Sequence, residues 1–230
     1  MKSTFFVLHC FHEFFFSSTG IFRVSYSRYR KVPTLSIDFV YSNIVSIIIS
    51  YLFFSENCTC KIDKCKNRLV QKGPILDLVI KTFPNKGYGL KTLKSIPKDT
   101  FVCEYAGEII TQEMAVNRSK NDDMNYILQI REKFGKNTVH DTWIDPTSIG
   151  NIGRYINHSC DPNLRLIPVR VEHFSPKIAL VASKDIQPND ELTFDYGYGE
   201  TKNAKNGTRM CFCNAHNCRK YLPFHFEVEV

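Results

Sequence analysis

Three cysteines near the end of the chain constrain its fold more than any other feature. Cys211, Cys213 and Cys218 follow a Cys-x-Cys-x4-Cys spacing. Thiolates at this density suit a structural zinc ion, which takes four ligands in a tetrahedron. The fourth ligand must come from elsewhere, and Cys160 is the best candidate. Zinc would then tie the tail back onto the middle of the chain, and the tail would fold only with metal bound. The nine cysteines fall into two tight clusters plus Cys10, Cys103 and Cys160. That odd, clustered distribution argues against a secreted disulfide framework and for metal ligation in a reducing compartment. The other cluster, Cys58, Cys60 and Cys65, repeats the spacing without an evident fourth partner. It reads either as a weaker zinc site or as the remnant of a larger metal cluster.

Cys160 belongs to the densest polar stretch of the chain, GRYINHSCDPN at residues 153–163. A bland loop has no need of Asn, His, Ser, Cys, Asp and Asn within seven residues. Asn157 offers an amide for paired hydrogen bonds, His158 donates or accepts, and Asp161-Pro162-Asn163 signals a turn. Around it the chain from about Pro74 reads as short strands. Expected strands cover 76–80, 101–110 with a break at Gly107, 125–130, 142–145, 166–172, 177–182 and 191–197. The passage KGYGL at 86–90 is tight and Gly-bounded, which lets backbone approach a ligand or another strand. Residues 111–120 suit a short helix with Thr111 as N-cap. Turns are expected at 95–99, 135–137 and 185–190. The class is mostly β with short helices, in one domain, and 230 residues are enough for one such core with small appendages.

Residues 1–54 differ from the rest. They are rich in Phe, Ile, Ser and Tyr, with Glu13 and Asp38 the only acidic residues. The apolar run 39–54 falls short of the roughly 20 residues of a membrane helix and is diluted by Ser and Asn. No clean signal-peptide cleavage site follows the first apolar run. Four readings of this atypical leader stand: a poorly ordered arm, a membrane-like segment, a buried strand or helix, or translated non-coding sequence. A membrane is not expected as a partner. The net charge of +7 fits an anionic partner or chromatin, and equally a mildly basic soluble protein.

Several ordered motifs together resemble the SET domain of protein-lysine methyltransferases. They are KGYG at 86–89, YAGE at 105–108, GNIGRYINHSCDPN at 150–163, ELTFDY at 191–196 and the Cys-x-Cys-x4-Cys tail. The likeness covers roughly residues 56–224. Within the family it is strongest to the histone H3 lysine-9 group with pre-SET and post-SET cysteines, through NRLVQKG at 67–73 and FVCEYAGE at 101–108. The resemblance implies small curved sheets with a knot-like core that sets Asn157 and His158 beside Phe194, Asp195 and Tyr196. It implies a truncated pre-SET remnant at 55–73, a SET domain at 74–200 and a zinc-bound post-SET motif at 207–224. The implied cofactor is S-adenosyl-L-methionine, with contacts from Lys86, Gly87, Tyr88, Tyr126, Arg154, Asn157 and His158. Tyr196 matches the tyrosine beside the transferred methyl group. The implied partners are the histone H3 tail, the nucleosome and chromatin, with no small-molecule substrate beyond the methyl donor. The implied location is the nucleus and chromosome.

The chemistry suits these residues. Methyl transfer from a sulfonium is an in-line displacement by a neutral amine, so the reactants must be aligned. A free lysine has a pKa of about 10.4. Desolvation in an apolar channel beside a positive sulfonium lowers it. Tyr105, Phe194 and Tyr196 can line such a channel, and ring faces tolerate methylammonium. The reaction needs no metal, which makes the Zn2+ structural. Plainer roles also stand: Tyr126 as core, Tyr105 as packing, Asp195 as a turn residue or buried hydrogen-bond partner. In the family, a tyrosine at the place of Phe194 goes with a single methyl, so phenylalanine points to di- or trimethylation. Lysine 9 of histone H3 leads as the site, followed by lysine 36 or a non-histone protein. An inactive SET fold that binds chromatin is the reading from another class. One departure is marked: the early pre-SET cysteines are absent, and the leader occupies their place.

Overall fold

The computed structural model describes residues 35–41, 69–73, 77–119, 126–134, 138–170, 173–197 and 209–222, with backbone alone for 35–41. Cys58, Cys60, Cys65, the turn expected at 135–137 and residues 42–54 of the apolar run lie outside these. Among the described residues, no helix is long and apolar enough to cross a membrane.

Runs of β-branched and aromatic residues between turn formers become strands, as their composition predicts. In chain order these are β1 (Leu35–Tyr41), β2 (Leu78–Phe83), β3 (Gly87–Thr92), β4 (Phe101–Glu104), β5 (Gly107–Ile110), β6 (Leu128–Phe134) and β7 (Thr138–Gly150). Then come β8 (Asn157–His158), β9 (Leu164–Val169), β10 (Lys177–Ala182) and β11 (Glu191–Phe194). Two short helices, α1 (Leu69–Lys72) and α2 (Gln112–Ser119), and a 3-10 turn at Ile152–Tyr155 complete the described elements. Three small sheets result, in the orders β1-β6-β7-β5, β4-β10-β9 and β2-β3-β11-β8. All three contribute to one buried cluster, which includes Leu90, Val102, Tyr105, Leu128, Ile144, Leu180, Leu192 and Phe194.

Several expected elements take different bounds. The strand expected at 101–110 breaks at Tyr105-Ala106, and Gly107 instead opens β5. Tyr105 turns its ring into the core, 3% exposed, while its N–H donates to Ile178 O at 2.8 Å. Gly107 is needed for closeness, since a Cβ there would lie 2.6 Å from the Asp145 carbonyl carbon. The strand expected at 142–145 is the middle of the longer β7. Its polar flanks conceal it, and the pairing of Glu108 with Asp145 and of Gly107 with Gly150 loops residues 146–149 out of the ladder. The first strand starts at Leu78 rather than 76, and the strand expected at 125–130 runs from Leu128 to Phe134. The helix forms as expected: Met114 N–H donates to Thr111 Oγ1 at 3.2 Å, the geometry of an N-cap.

The two-residue strand β8 positions the site. It pairs in parallel with β11, Thr193 opposite Asn157 and Phe194 opposite His158. Ser159 N–H then donates to Phe194 O at 3.2 Å. Asn163, from the turn that follows, clamps the same strand: Oδ1 accepts from Thr193 N–H and Nδ2 donates to Glu191 O, both at 2.9 Å. The adjacency of 157–158 and 194–196 expected from the resemblance is therefore built from backbone pairing plus one asparagine.

Far from this region, Arg170 and Glu132 form an ion pair at 2.6 Å, 2% and 0% exposed, under the rings of Phe134 and Phe174. Removing one member of a buried pair leaves a charge without compensation. Glu132→Ala is therefore expected to cost about 3–5 kcal/mol of stability, read as a lowered denaturation midpoint. A change under 1 kcal/mol would show that the pair contributes little.

Candidate active site and zinc centre

The site grows from the β8–β11 pairing. His158 is 4% exposed, and its Nδ1 accepts from Tyr196 N–H at 3.1 Å. Burial first, and then the charges of Arg219 and Lys86, lower its pKa to about 3. The ring is therefore neutral, and with Nδ1 accepting, its proton resides on Nε2, 3.3 Å from Cys160 Sγ. Asn157 donates through Nδ2 to Glu191 Oε1 at 2.9 Å and to Tyr88 O at 3.3 Å. Lys86 pairs with the other oxygen of Glu191 at 2.5 Å. Gly89 makes this approach possible, since a Cβ there would come within 2.5 Å of Asn157 Nδ2 and of the Phe83 ring.

Behind β8 and β11 three aromatic rings assemble. Phe194 lies 4.8 Å from Tyr196 and 5.9 Å from Tyr105, centroid to centroid. Tyr196 Oη donates to Ile156 O at 2.7 Å, and Tyr105 Oη donates to Tyr126 O at 2.6 Å. Burial pushes both phenols above their ordinary range, so both stay protonated at neutral and mildly alkaline pH. A cavity of about 360 Å3 opens in front of Tyr196. Lys86, Asn157 and His158 line one side, and Met210, Phe212 and Leu222 of the tail line the other.

The sequence-predicted residues thus divide into two groups. Lys86, Asn157, His158 and Tyr196 meet at the cavity. Tyr126 and Arg154 meet each other instead: the guanidinium stacks 4.7 Å over the Tyr126 ring and donates to Pro146 O and Thr147 O. Tyr88 is 68% exposed, edge-on to Tyr155 at 6.4 Å. Gly87 takes a φ of 76°, a conformation that favours glycine.

The tail reaches the site through sulfur. The sulfurs of Cys160, Cys211, Cys213 and Cys218 all lie within 4.8 Å of one another, with Cys160 and Cys211 at 3.9 Å. A tetrahedral zinc with bonds of about 2.3 Å sets its sulfurs about 3.8 Å apart, so the four thiols fit that ion. Backbone N–H groups of Arg219 and Lys220 donate to Cys160 and Cys218 Sγ at 3.3 and 3.4 Å, which orients the sulfurs and would steady their thiolate forms. Burial raises the Cys213 thiol, yet hydrogen bonds from the backbone and from the Cys211 and Cys218 thiols outweigh it and bring it down to about 6. Burial drives Cys211 well above the usual thiol range.

Sequence reasoning missed the residues that join these parts. Arg219 links the tail to the core by three hydrogen bonds, its N–H to Cys160 Sγ at 3.3 Å and its guanidinium to Asp195 Oδ1 at 2.6 Å and Gly197 O at 3.1 Å, and the guanidinium also lies 3.3 Å from His158 Nε2. Its adjacency to Cys218 is the one available signal. Glu191, which holds both Lys86 and Asn157, carries none beyond its place at the head of ELTFDY.

The SET domain family matches residues 87–197. The chain is 43% identical over 180 residues to histone-lysine N-methyltransferase SETMAR of Homo sapiens, covering 73% of this chain and 26% of that protein. It is 39% identical over 173 residues to "Probable histone-lysine N-methyltransferase set-23" of Caenorhabditis briggsae, covering 74% of this chain and 70% of that one. Among solved structures, the methyltransferase domain of human SETMAR superposes with a TM-score of 0.65 at 40% identity, over 75% of this chain and 67% of that one. Arabidopsis thaliana SUVH6 in complex with SAM gives 0.63 at 33% identity, over 73% and 37%. KRYPTONITE in complex with DNA, an H3(1-15) peptide and SAH gives 0.58 at 32% identity, over 74% and 34%. The fold and the site thus define a class, and the chain belongs to the SET-domain family of histone-lysine N-methyltransferases. It spans 26% of the human SETMAR protein and 58% of the bovine one.

Proposed function

We propose that this chain is an S-adenosylmethionine-dependent methyltransferase acting on histone H3, with lysine 9 as the site and di- or trimethyl-lysine as the product. The observation that carries the reading is the ring cluster of Tyr105, Phe194 and Tyr196 beside a cavity edged by Lys86, Asn157 and His158. A volume of about 360 Å3 suits a small-molecule cofactor. SUVH6 with SAM and KRYPTONITE with SAH and an H3 peptide support the cofactor and the substrate class.

When bound, the cofactor supplies an electrophilic methyl group on a sulfonium. Lys86, Asn157 and His158 line the cavity and would hold it, and the family resemblance adds contacts from Gly87, Tyr88, Tyr126 and Arg154. Glu191 fixes Lys86 and Asn157 from behind. The ring walls exclude water, which lowers the substrate lysine from its ordinary pKa of about 10.4 and favours the neutral amine. Tyr196 orients that amine and leaves its proton to solvent, because its own phenol stays protonated. Zinc on Cys160, Cys211, Cys213 and Cys218 holds the tail against the cavity. In this reading residues 74–200 are the SET domain, 207–224 the post-SET motif and 55–73 a truncated pre-SET remnant. The work is nuclear, on chromosomes.

The test is methyl transfer to H3 peptides carrying single lysine replacements, alongside recombinant nucleosomes. Transfer lost only when lysine 9 is replaced supports the site. Transfer indifferent to that lysine removes it. Cofactor binding with no transfer to any histone or to a cell lysate would instead support a chromatin-binding module. Product degree has its own check. Phe194 is 1% exposed between two tyrosine rings, and Phe194→Tyr fills the space a further methyl needs. Mass spectra of the products should shift from di- and trimethyl to monomethyl-lysine. Wild-type products limited to monomethyl-lysine would contradict the assignment.

A further inference from the structure

His158 lines the cavity, yet both nitrogens of its ring are engaged elsewhere. Nδ1 accepts from Tyr196 N–H at 3.1 Å, and Nε2 lies 3.3 Å from Cys160 Sγ. A ring nitrogen that accepts a backbone N–H carries no proton of its own. The ring proton therefore sits on Nε2, toward the sulfur. Neither nitrogen is left for a molecule in the cavity, so whatever His158 gives such a molecule comes from its other atoms.

The ring is held firmly between these two partners. It is 4% exposed and lies 5.3 Å from the Tyr196 ring, centroid to centroid. Its backbone is fixed by β8, which sets His158 opposite Phe194, and by the adjoining bond from Ser159 N–H to Phe194 O at 3.2 Å. Two charged side chains pass close without taking either nitrogen. The Arg219 guanidinium is 3.3 Å from Nε2 and the Asp195 carboxylate 3.7 Å from Nδ1, and these two pair with each other at 2.6 Å. Asp195 also accepts from Gly197 N–H at 3.0 Å. The imidazole is thus a bridge, two hydrogen bonds long, from one of the four clustered sulfurs to the backbone of the tyrosine at the cavity.

Each end of the bridge has a consequence. An N–H that donates to a metal-bound sulfur orients the ligand and stabilises its thiolate form. A charged sulfur in turn holds that N–H more strongly than a neutral thiol does. The other end fixes the Tyr196 backbone, and with it the place of the phenol among the rings of Tyr105 and Phe194. We propose that His158 is a positioning residue that couples the metal centre to Tyr196, with Nε2–H on the Cys160 sulfur and Nδ1 on the Tyr196 N–H. Metal occupancy then acts on Tyr196 directly, apart from its hold on the tail. The inference rests on the methyltransferase reading above for the part of Tyr196 in the reaction, and on zinc as the ion the four sulfurs fit.

Two amide variants divide the bridge. An asparagine amide ends at the δ position of the ring and a glutamine amide at the ε position, so His158→Asn keeps an acceptor for Tyr196 and His158→Gln keeps a donor for Cys160. Release of zinc to a colorimetric chelator and hydrogen exchange at the Tyr196 amide are followed on the full chain. His158→Asn should lose zinc about tenfold faster and keep Tyr196 protection within about threefold. His158→Gln should keep zinc release within about threefold and exchange the Tyr196 amide at least about fivefold faster. His158→Phe, a ring without nitrogens, should move both. A side chain that only packs would move the two readouts together in every variant. The wild type gives an arm that needs no variant: nitrogen-15 spectra should show a bare Nδ1 and a protonated Nε2, and chelation should shift Nε2. Equal losses at both ends in the two amide variants would overturn the proposal. So would both readouts unchanged in His158→Phe, a proton on Nδ1, or a wild type that binds no zinc. None of these readouts needs methyl transfer, so a chain that passes them and methylates nothing would end the methyltransferase reading and leave the bridge standing.

Discussion

Tyr196→Phe lowers the rate of methyl transfer by about 100-fold at saturating cofactor, the scale of loss when a reacting group is no longer held in line. The change deletes one hydroxyl. That hydroxyl donates to Ile156 O at 2.7 Å, and its ring packs on Phe194 and His158. Losing a single hydrogen bond costs about 0.5–1.5 kcal/mol, so the denaturation midpoint should move only slightly. Cofactor affinity should stay within about threefold, since Lys86, Asn157 and His158 are untouched. The pH profile separates orientation from proton abstraction. Burial keeps the phenol protonated, so it makes no alkaline limb of its own at pH 7–9. Wild type and variant should climb in parallel as the substrate lysine loses its proton. A change in the shape of the profile would make Tyr196 a base, and a rate loss below about threefold would remove it from the reaction.

Cys160→Ser removes the bound zinc and, with it, most of the activity. Structural zinc in small cysteine sites contributes about 10–16 kcal/mol of folding free energy, more than a segment such as 209–222 can supply for itself. Besides its sulfurs the tail is tied to the core by Arg219, to Asp195 Oδ1 at 2.6 Å and Gly197 O at 3.1 Å, and by Asn217 to Cys160 O at 3.1 Å, while Cys211 N–H to Lys220 O at 2.8 Å and Leu222 N–H to Arg209 O at 2.9 Å lie within it. Metal content should fall from one ion per chain to none, and limited proteolysis should open around Met210. Because Met210, Phe212 and Leu222 wall the cavity, cofactor and peptide affinity should fall together. A chelator should reproduce the effect in the wild type. Arg219→Gln separates the two functions of the tail, since its side chain joins Asp195 and Gly197 while zinc is held by other residues. It should keep the metal and lose much of the binding. A serine variant with full activity and a full complement of zinc would show that tail and cavity are independent.

How much of this was legible in the sequence depended on the kind of interaction. The cysteine spacing pointed to converging sulfurs, and Cys160 does lie with the three tail cysteines, all four sulfurs within 4.8 Å of one another. The Thr111 cap and the pairing with 177–182 of a strand expected at 166–172, which runs from Leu164 to Val169, were legible because both are local. The ends of β7 were not, since their polar residues form a ladder only because β6 and β5 lie alongside. Gly107 was read as a breaker when it is a point of close approach, a distinction that depends on Asp145, 38 positions away in sequence. At the site, residue types suggested Asn157 and His158, and the family resemblance Tyr196, but not the direction of their bonds. His158 spends its ring nitrogens on Tyr196 and the sulfur side. Glu191 and Arg219 escaped notice because a carboxylate at the head of a strand and an arginine after a cysteine are unremarkable until the fold joins them.

The short parallel strand β8 also sets an order of events. The contacts that build the cavity span 69 residues from Asn157 to Tyr88, 38 from Tyr196 to His158 and 61 from Arg219 to His158. Loops of that length close slowly, and nothing rewards their closure until both ends have formed. On the ribosome, the hairpins at 78–92 and 164–182 can form early, whereas the cavity would be complete only after residue 222 has emerged and the tail has captured a metal. A nascent chain would therefore be folded in most of its sheets and still inert. Zinc supply, rather than the rate of sheet formation, would decide when it begins to work.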